Sequence, residues 1–271
     1  MNSIENTDKL TNEVECKNCS NHFQGLFCNQ CGQKVIKERI TIKHLFAIAF
    51  DSFNIHKGLL FTIKLMFTNP GKLINDYLNG RTKDFYNPLK YLLLIASISA
   101  LFMLWFNIFD ANVENTNEIM GLDREATKLQ SAITGYMKNF LHIVAILALP
   151  FYSLVSKWIF KKHKLHYAEH LTINSYLFAQ ITFIQIFTIF LVFLIPDLTK
   201  FMLAFGSVIF IIYYTYALRG VFNIKLIKSF LSSIAIYVLG LSLMLLFIVT
   251  LTIIVMIVLK FSGYNLKELV K

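Results

Sequence analysis

Residues 231–259 read LSSIAIYVLGLSLMLLFIVTLTIIVMIVL, twenty-nine positions without one charged side chain. A hydrocarbon core of about 30 Å is crossed by about 20 apolar residues in a helix, so this run is long enough to span with tilt. Backbone N–H and C=O groups in lipid must be satisfied within the segment, and the run lacks the period-2 alternation of a membrane barrel strand, so a helix is predicted. Working back toward the N-terminus, four similar runs appear: about Leu89–Phe109, Phe140–Phe160 (with Pro150 inside it), Leu171–Ile195 and Phe201–Leu218. Pro196-Asp197-Leu198-Thr199-Lys200 leaves room only for a tight hairpin between the third and fourth.

The whole composition agrees. Of 271 residues, 56% are hydrophobic and only 15% charged, against roughly 25% charged in a soluble domain. Disorder requires the opposite balance, and four cysteines are too few for a disulfide-dense scaffold. The predicted fold class is all-α: a polytopic membrane helix bundle of about five spans, with a small N-terminal module built on cysteines. The expected organisation is a polar tail over 1–15, the cysteine module over 16–34, amphipathic or interfacial helices over 35–87, the transmembrane bundle over 88–260 and a tail over 261–271.

Charge sets the expected orientation. Residues 34–90 hold ten Lys/Arg against four Asp/Glu, and residues 110–139 hold three against five. Lys157, Lys161, Lys162 and Lys164 follow the second span, and Arg219, Lys225 and Lys228 follow the fourth. The positive-inside rule then places the N-terminal region in the cytoplasm and, after five spans, the C-terminus outside. The first 30 residues show no apolar signal-peptide core. The net charge of +10 is accounted for by anionic lipid and topogenesis; nucleic acid is the disfavoured partner.

All four cysteines fall in Cys16-x2-Cys19-x8-Cys28-x2-Cys31. Two such knuckles bring four thiolates to the corners of a small tetrahedron, the geometry of a closed structural Zn2+ site. A reducing compartment favours metal over disulfides. A rubredoxin-like iron site, a redox pair or disulfides, and a metal-free module are the alternatives. His22 is read as a turn residue. Only Lys17 gives residues 16–33 a fixed positive charge, too little for phosphate binding. The module is expected to dock on another membrane or cytoplasmic protein, or on its own bundle.

After the module, Ile42, Leu45, Phe46, Ala49, Phe50 and Phe53 share one helical face, which predicts an amphipathic helix over 41–53. Residues 59–67 continue the pattern. Asn69-Pro70-Gly71 marks a turn or helix start, a short helix is predicted over 72–79, and Asn87-Pro88 caps and opens the first span.

Taken together, Cys28-Asn-Gln-Cys31-Gly32-Gln33-Lys34, Arg39-Ile40-Thr41, Lys57-Gly58-Leu59-Leu60-Phe61-Thr62, Asn69-Pro70-Gly71, Tyr77, Gly80-Arg81 and Tyr86-Asn87-Pro88 resemble the DUF3667 family, bacterial multi-pass membrane proteins of unknown function. The resemblance covers about residues 16–95. It implies a zinc-ribbon-like head on a body in the bacterial inner membrane, and no particular activity. The expected topology is also similar to the Yip1-type membrane fold.

Two patterns in the apolar part bear on chemistry. His166-Tyr-Ala-Glu169-His170 fits the inverted zinc-protease pattern H-x-x-E-H; the competing reading is a solvated helix start. Glu169, Thr172, Tyr176 and Gln180 recur at three- and four-residue steps, a polar stripe entering the third span. Such stripes hydrogen-bond to neighbouring helices or line a cavity. Three functions follow in order of preference: an interaction, recruitment or sensing protein; a small transporter or lipid-handling protein using the stripe; and a membrane metallopeptidase using His166, Glu169 and His170.

Overall fold

The computed structural model describes residues 13–35, 58–121 and 141–261; the amphipathic segment 41–53 and both termini lie outside them. Strands β1 (Val14–Glu15) and β2 (His22–Phe23) pair antiparallel in the cysteine module. Eight helices follow among the described residues: α1 (Leu59–Thr68), α2 (Pro70–Leu78), α3 (Pro88–Trp105), α4 (Ile108–Met120), α5 (Leu141–Ile159), α6 (Tyr167–Leu194), α7 (Met202–Phe222) and α8 (Leu226–Phe261). Short 3-10 turns at Lys161–His163 and Pro196–Phe201 join α5 to α6 and α6 to α7.

Helix boundaries follow local chemistry. The Asn69 side chain accepts from the Lys72 N–H at 3.0 Å with Pro70 at the first helical position, and α2 stops before Gly80, whose φ of 98° continues no helix. Asn87 accepts from the N–H groups of Leu89 and Lys90, and Pro88 opens α3. Each cap satisfies backbone donors that the first turn leaves open.

Several boundaries differ from expectation; the fourth span, for example, runs on to Phe222 instead of stopping at Leu218. The first span ends at Trp105 rather than Phe109, because Asn107 turns into the left-handed region (φ 55°) and a new helix, α4, starts at Ile108. The third begins four residues earlier than predicted, at a capping box. His166 caps its N-terminus, and the Glu169 carboxylate reaches back to the His166 N–H. The last begins five residues early, at Leu226, and runs 36 residues. At about 1.5 Å per residue that is about 54 Å, well beyond a bilayer's hydrocarbon thickness.

Among the described residues, four helices are long and apolar enough to cross a membrane: Pro88–Trp105, Tyr167–Leu194, Ala204–Phe222 and Leu226–Ile254. The second expected span is the 19-residue helix α5, of which Ile146–Ile159 is a shorter apolar helix. The protein is therefore a helical membrane bundle with a cysteine head. Helix α6 sits at its centre, packed on α3, α5 and α7, and α8 closes the outside against α5 and α7.

Helices α1 and α2 lie across one end of this bundle. Tyr213 and Tyr216 of α7 donate to the carbonyls of Met66 and Thr68 at 2.9 and 2.6 Å. The buried face of α1 is Thr62 and Met66, while Leu60, Phe61 and Phe67 stay exposed. An interfacial helix has this arrangement, one face on protein and one apolar face outward. Helix α2 crosses the end of α7 backbone to backbone. A Cβ at Gly71 would stand 2.4 Å from the Gly220 carbonyl carbon, and Asn75 donates to the Val221 carbonyl at 3.2 Å. The Asn-Pro-Gly motif therefore starts a helix and also supplies the small residue that the crossing needs.

Gly71→Ala is expected to destabilise the bundle by roughly 1–3 kcal/mol, the usual cost of overpacking. Thermal unfolding in detergent checks this; an unchanged melting temperature would refute the crossing.

Candidate metal centre and its seat on the bundle

The head is one turn used twice. Ser20 N–H donates to the Cys16 carbonyl (2.8 Å) and Gly32 N–H to the Cys28 carbonyl (2.7 Å). Cys16 N–H donates to the Asn21 carbonyl and Cys28 N–H to the Gln33 carbonyl, at 2.9 and 2.8 Å. The residue after each Cys-x2-Cys pair is left-handed, Ser20 at φ 57° and Gly32 at φ 67°. Gly32 takes that conformation without strain; Ser20 has to be held in it by the turn.

These turns bring all four sulfurs within 4.8 Å of one another. The Sγ atoms of Cys16 and Cys31 are 3.6 Å apart, as are those of Cys19 and Cys28, and none forms a disulfide. An ion held by four thiolates at about 2.3 Å has sulfur–sulfur edges of about 3.8 Å, so the donor set fits a tetrahedral S4 ion. Amide groups already point at the sulfurs: Asn18 Nδ2 lies 3.8 Å from Cys31 Sγ and Asn21 Nδ2 3.9 Å from Cys28 Sγ. The Cys28 thiol is drawn down to about 6. Burial pushes it up, and hydrogen bonds from the Cys31 and Gln30 backbones and from the Cys19 and Cys31 thiols outweigh that. The Cys19 thiol beside it goes the other way, to about 12: the Asn21 backbone hydrogen bond lowers it, and burial with hydrogen bonds to the other three thiols outweighs that.

The head is fastened to the bundle by residues on both sides of the knuckles. Gln33 is buried, and its Nε2 donates to the Gly80 carbonyl at 3.0 Å and to Thr82 Oγ1 at 2.9 Å. Arg81 donates through Nε to Asn18 Oδ1 at 3.0 Å, inside the first knuckle. Its other nitrogens meet Asp76 and Asp84, and its guanidinium lies 5.7 Å from the centre of the Phe85 ring. The strap 79–87 carrying these partners is itself held down. Tyr86 N–H donates to Thr62 Oγ1 and the Tyr86 carbonyl accepts from Tyr176 of α6. A chain of contacts thus runs from the sulfurs to the central helix. The Gln33 and Arg81 contacts escape sequence reasoning, since nothing in the spacing pairs residue 33 with 80 or 18 with 81.

The other candidate residues go to different places. His166 caps α6 and is exposed, Glu169 completes the capping box, and His170 is fully buried with its Nδ1 2.9 Å from Ser156 Oγ of α5. Among the described residues, the four cysteines are the group whose ligand atoms converge as a metal site would require; the H-x-x-E-H residues do not. The polar stripe faces inward: Glu169, Thr172, Tyr176 and Gln180 are all buried. Tyr91 of α3 donates to Gln180 Oε1, Tyr176 donates to the strap, and Thr172 bonds the Ala168 carbonyl of its own helix. Two of the four stripe residues, Tyr176 and Gln180, thus bond to other elements, and the other two bond within their own helix end. A cavity of about 340 Å³ does open beside α6, bordered by Ser99, Met103, Tyr152, Thr182, Gln185 and Met244, and no stripe residue lines it.

The fold and head define a polytopic membrane protein that carries a four-cysteine module against one end of its bundle. Residues 57–100 match the model of a family described as "Protein of unknown function (DUF3667)". That stretch covers α1, α2, the strap and the first turns of α3, so the resemblance read from the short motifs holds over the elements that seat the head. No curated protein and no solved structure matches the chain.

Purified protein is expected to contain one metal ion per chain, lost in Cys28→Ser and retained in His166→Ala and His170→Ala; elemental analysis decides. For the stripe, Tyr91→Phe leaves buried Gln180 without a donor and is expected to cost about 1 kcal/mol. Adding Gln180→Leu should recover most of it, read by thermal unfolding of the double variant.

Proposed function

We propose that this chain is a recruitment protein of the bacterial inner membrane. Its cysteine module binds a structural zinc ion on the cytoplasmic side and presents a docking surface to another protein. The observation that carries this reading is the seating of the module by Gln33 and Arg81. A flexible tether would let the head sample many orientations. This head is held in one, and a fixed orientation lowers the entropy lost when a partner binds. Four thiolates leave no open coordination position, so the ion serves the shape of the module rather than catalysis.

The surface offered is the loop between the knuckles, where Leu26 and Phe27 are 63% and 58% exposed. Paired exposed apolar side chains on so small a module suit a protein contact. The excess of Lys and Arg near the head supports the cytoplasmic side.

Leu26→Asp/Phe27→Asp is expected to keep its zinc and lose its partner, and Cys16→Ser/Cys19→Ser to lose both. Crosslinking in intact membranes followed by mass spectrometry measures this. A partner set indifferent to both variants would end the recruitment reading.

A further inference from the structure

A groove lies between the end of α5 and the first turns of α8. Its lining is mostly apolar, with Ile159, Ile227, Leu231 and Ala235 beside a single hydroxyl, Ser232, and its volume is about 510 Å³. Lys225 and Lys228 line it as well. Lys228, Leu231 and Ala235 follow at three- and four-residue steps along α8, and Lys225, the residue just before the helix, continues the same row. Both lysines are exposed, and among the described residues neither forms a salt bridge. Trp158, next to Ile159 on the other wall, is 55% exposed; tryptophan in that setting marks the boundary between hydrocarbon and headgroups.

We propose that this groove binds one anionic phospholipid. The phosphate sits between Lys225 and Lys228, and an acyl chain runs along Leu231 and Ala235 against Ile159. The Lys225 carbonyl takes the first hydrogen bond of α8, from the Ser229 N–H at 3.0 Å, so Lys225 and Lys228 stand about as far apart as residues three apart on a helix, roughly 5–6 Å, close enough for both to reach one phosphate. A zwitterionic lipid brings its own cation and gains less from two lysines. A soluble anion finds the charges but leaves the apolar track uncovered. Basic pockets between helices at the headgroup level are the general form of such sites, and the volume lies within the range of small-ligand pockets.

The test uses the full chain in neutral detergent, with phosphatidylglycerol, phosphatidylcholine or inorganic phosphate added and bound lipid counted by native mass spectrometry. Wild type should retain phosphatidylglycerol in preference to phosphatidylcholine, and millimolar phosphate should not displace it. Lys225→Gln/Lys228→Gln should weaken retention about thirtyfold, as two contacts of this kind imply. Leu231→Trp, which fills the track at an exposed position and leaves the charges, should also reduce it. Lys64→Gln/Lys72→Gln removes the same charge from α1 and α2 and should change nothing. Equal retention of the two lipids, displacement by phosphate alone, or equal loss in both lysine pairs would overturn the site.

Discussion

A polar group inside a lipid bilayer must find its partner within the protein, and this constraint organises the molecule around α6. Lipid chains are as apolar as leucine, so burying apolar surface does little to choose one helix arrangement over another. Hydrogen bonds and close backbone approaches choose instead. On α6, Gln180 accepts from Tyr91, Tyr176 donates to the Tyr86 carbonyl, and Asn174 accepts from Tyr214 at 2.8 Å. These contacts bring α3, the strap and α7 against three successive parts of one helix. Small residues supply further close contacts: Gly71 against Gly220, and Gly240 of α8 against the Tyr152 ring of α5.

The head depends on the same framework. Its sulfurs are positioned by turns that need no membrane, but its orientation is set by Gln33 and Arg81 reaching into the strap. The strap is held by Thr62 and Tyr176. The stretch matched by the DUF3667 model, residues 57–100, therefore contains the seat, and its motif residues have definite structural tasks. Asn69 and Asn87 cap helices, Gly71 permits a crossing, and Tyr86 ties the strap to α6.

Much of this was legible in the chain. Long uncharged runs need no partner to be recognised, because the length a bilayer demands is a local property. The Cys-x2-Cys pairs, Asn69-Pro70 and Asn87-Pro88 are local as well, and the structure has the turns and helix starts that they predict. At two of the boundaries where local reading went astray, one or two residues were responsible. Asn107 in the left-handed region ended the first span early, and the capping box at His166 and Glu169 started the third early. The same box separates the two histidines of H-x-x-E-H: one caps a helix while the other enters the core beside Ser156.

A membrane helix bundle with a clustered set of four thiols could be read from neighbouring residues alone, since hydropathy over a span and spacing within a turn are local properties. It took the packed chain to show that the polar stripe of α6 is buried in the bundle and that the head is fixed to it. The same packing sets Lys225 and Lys228 at a mostly apolar groove beside α5. Each of these depends on residues tens of positions apart being brought within a hydrogen bond or a van der Waals contact. That proximity is set by helix packing, which no local pattern encodes.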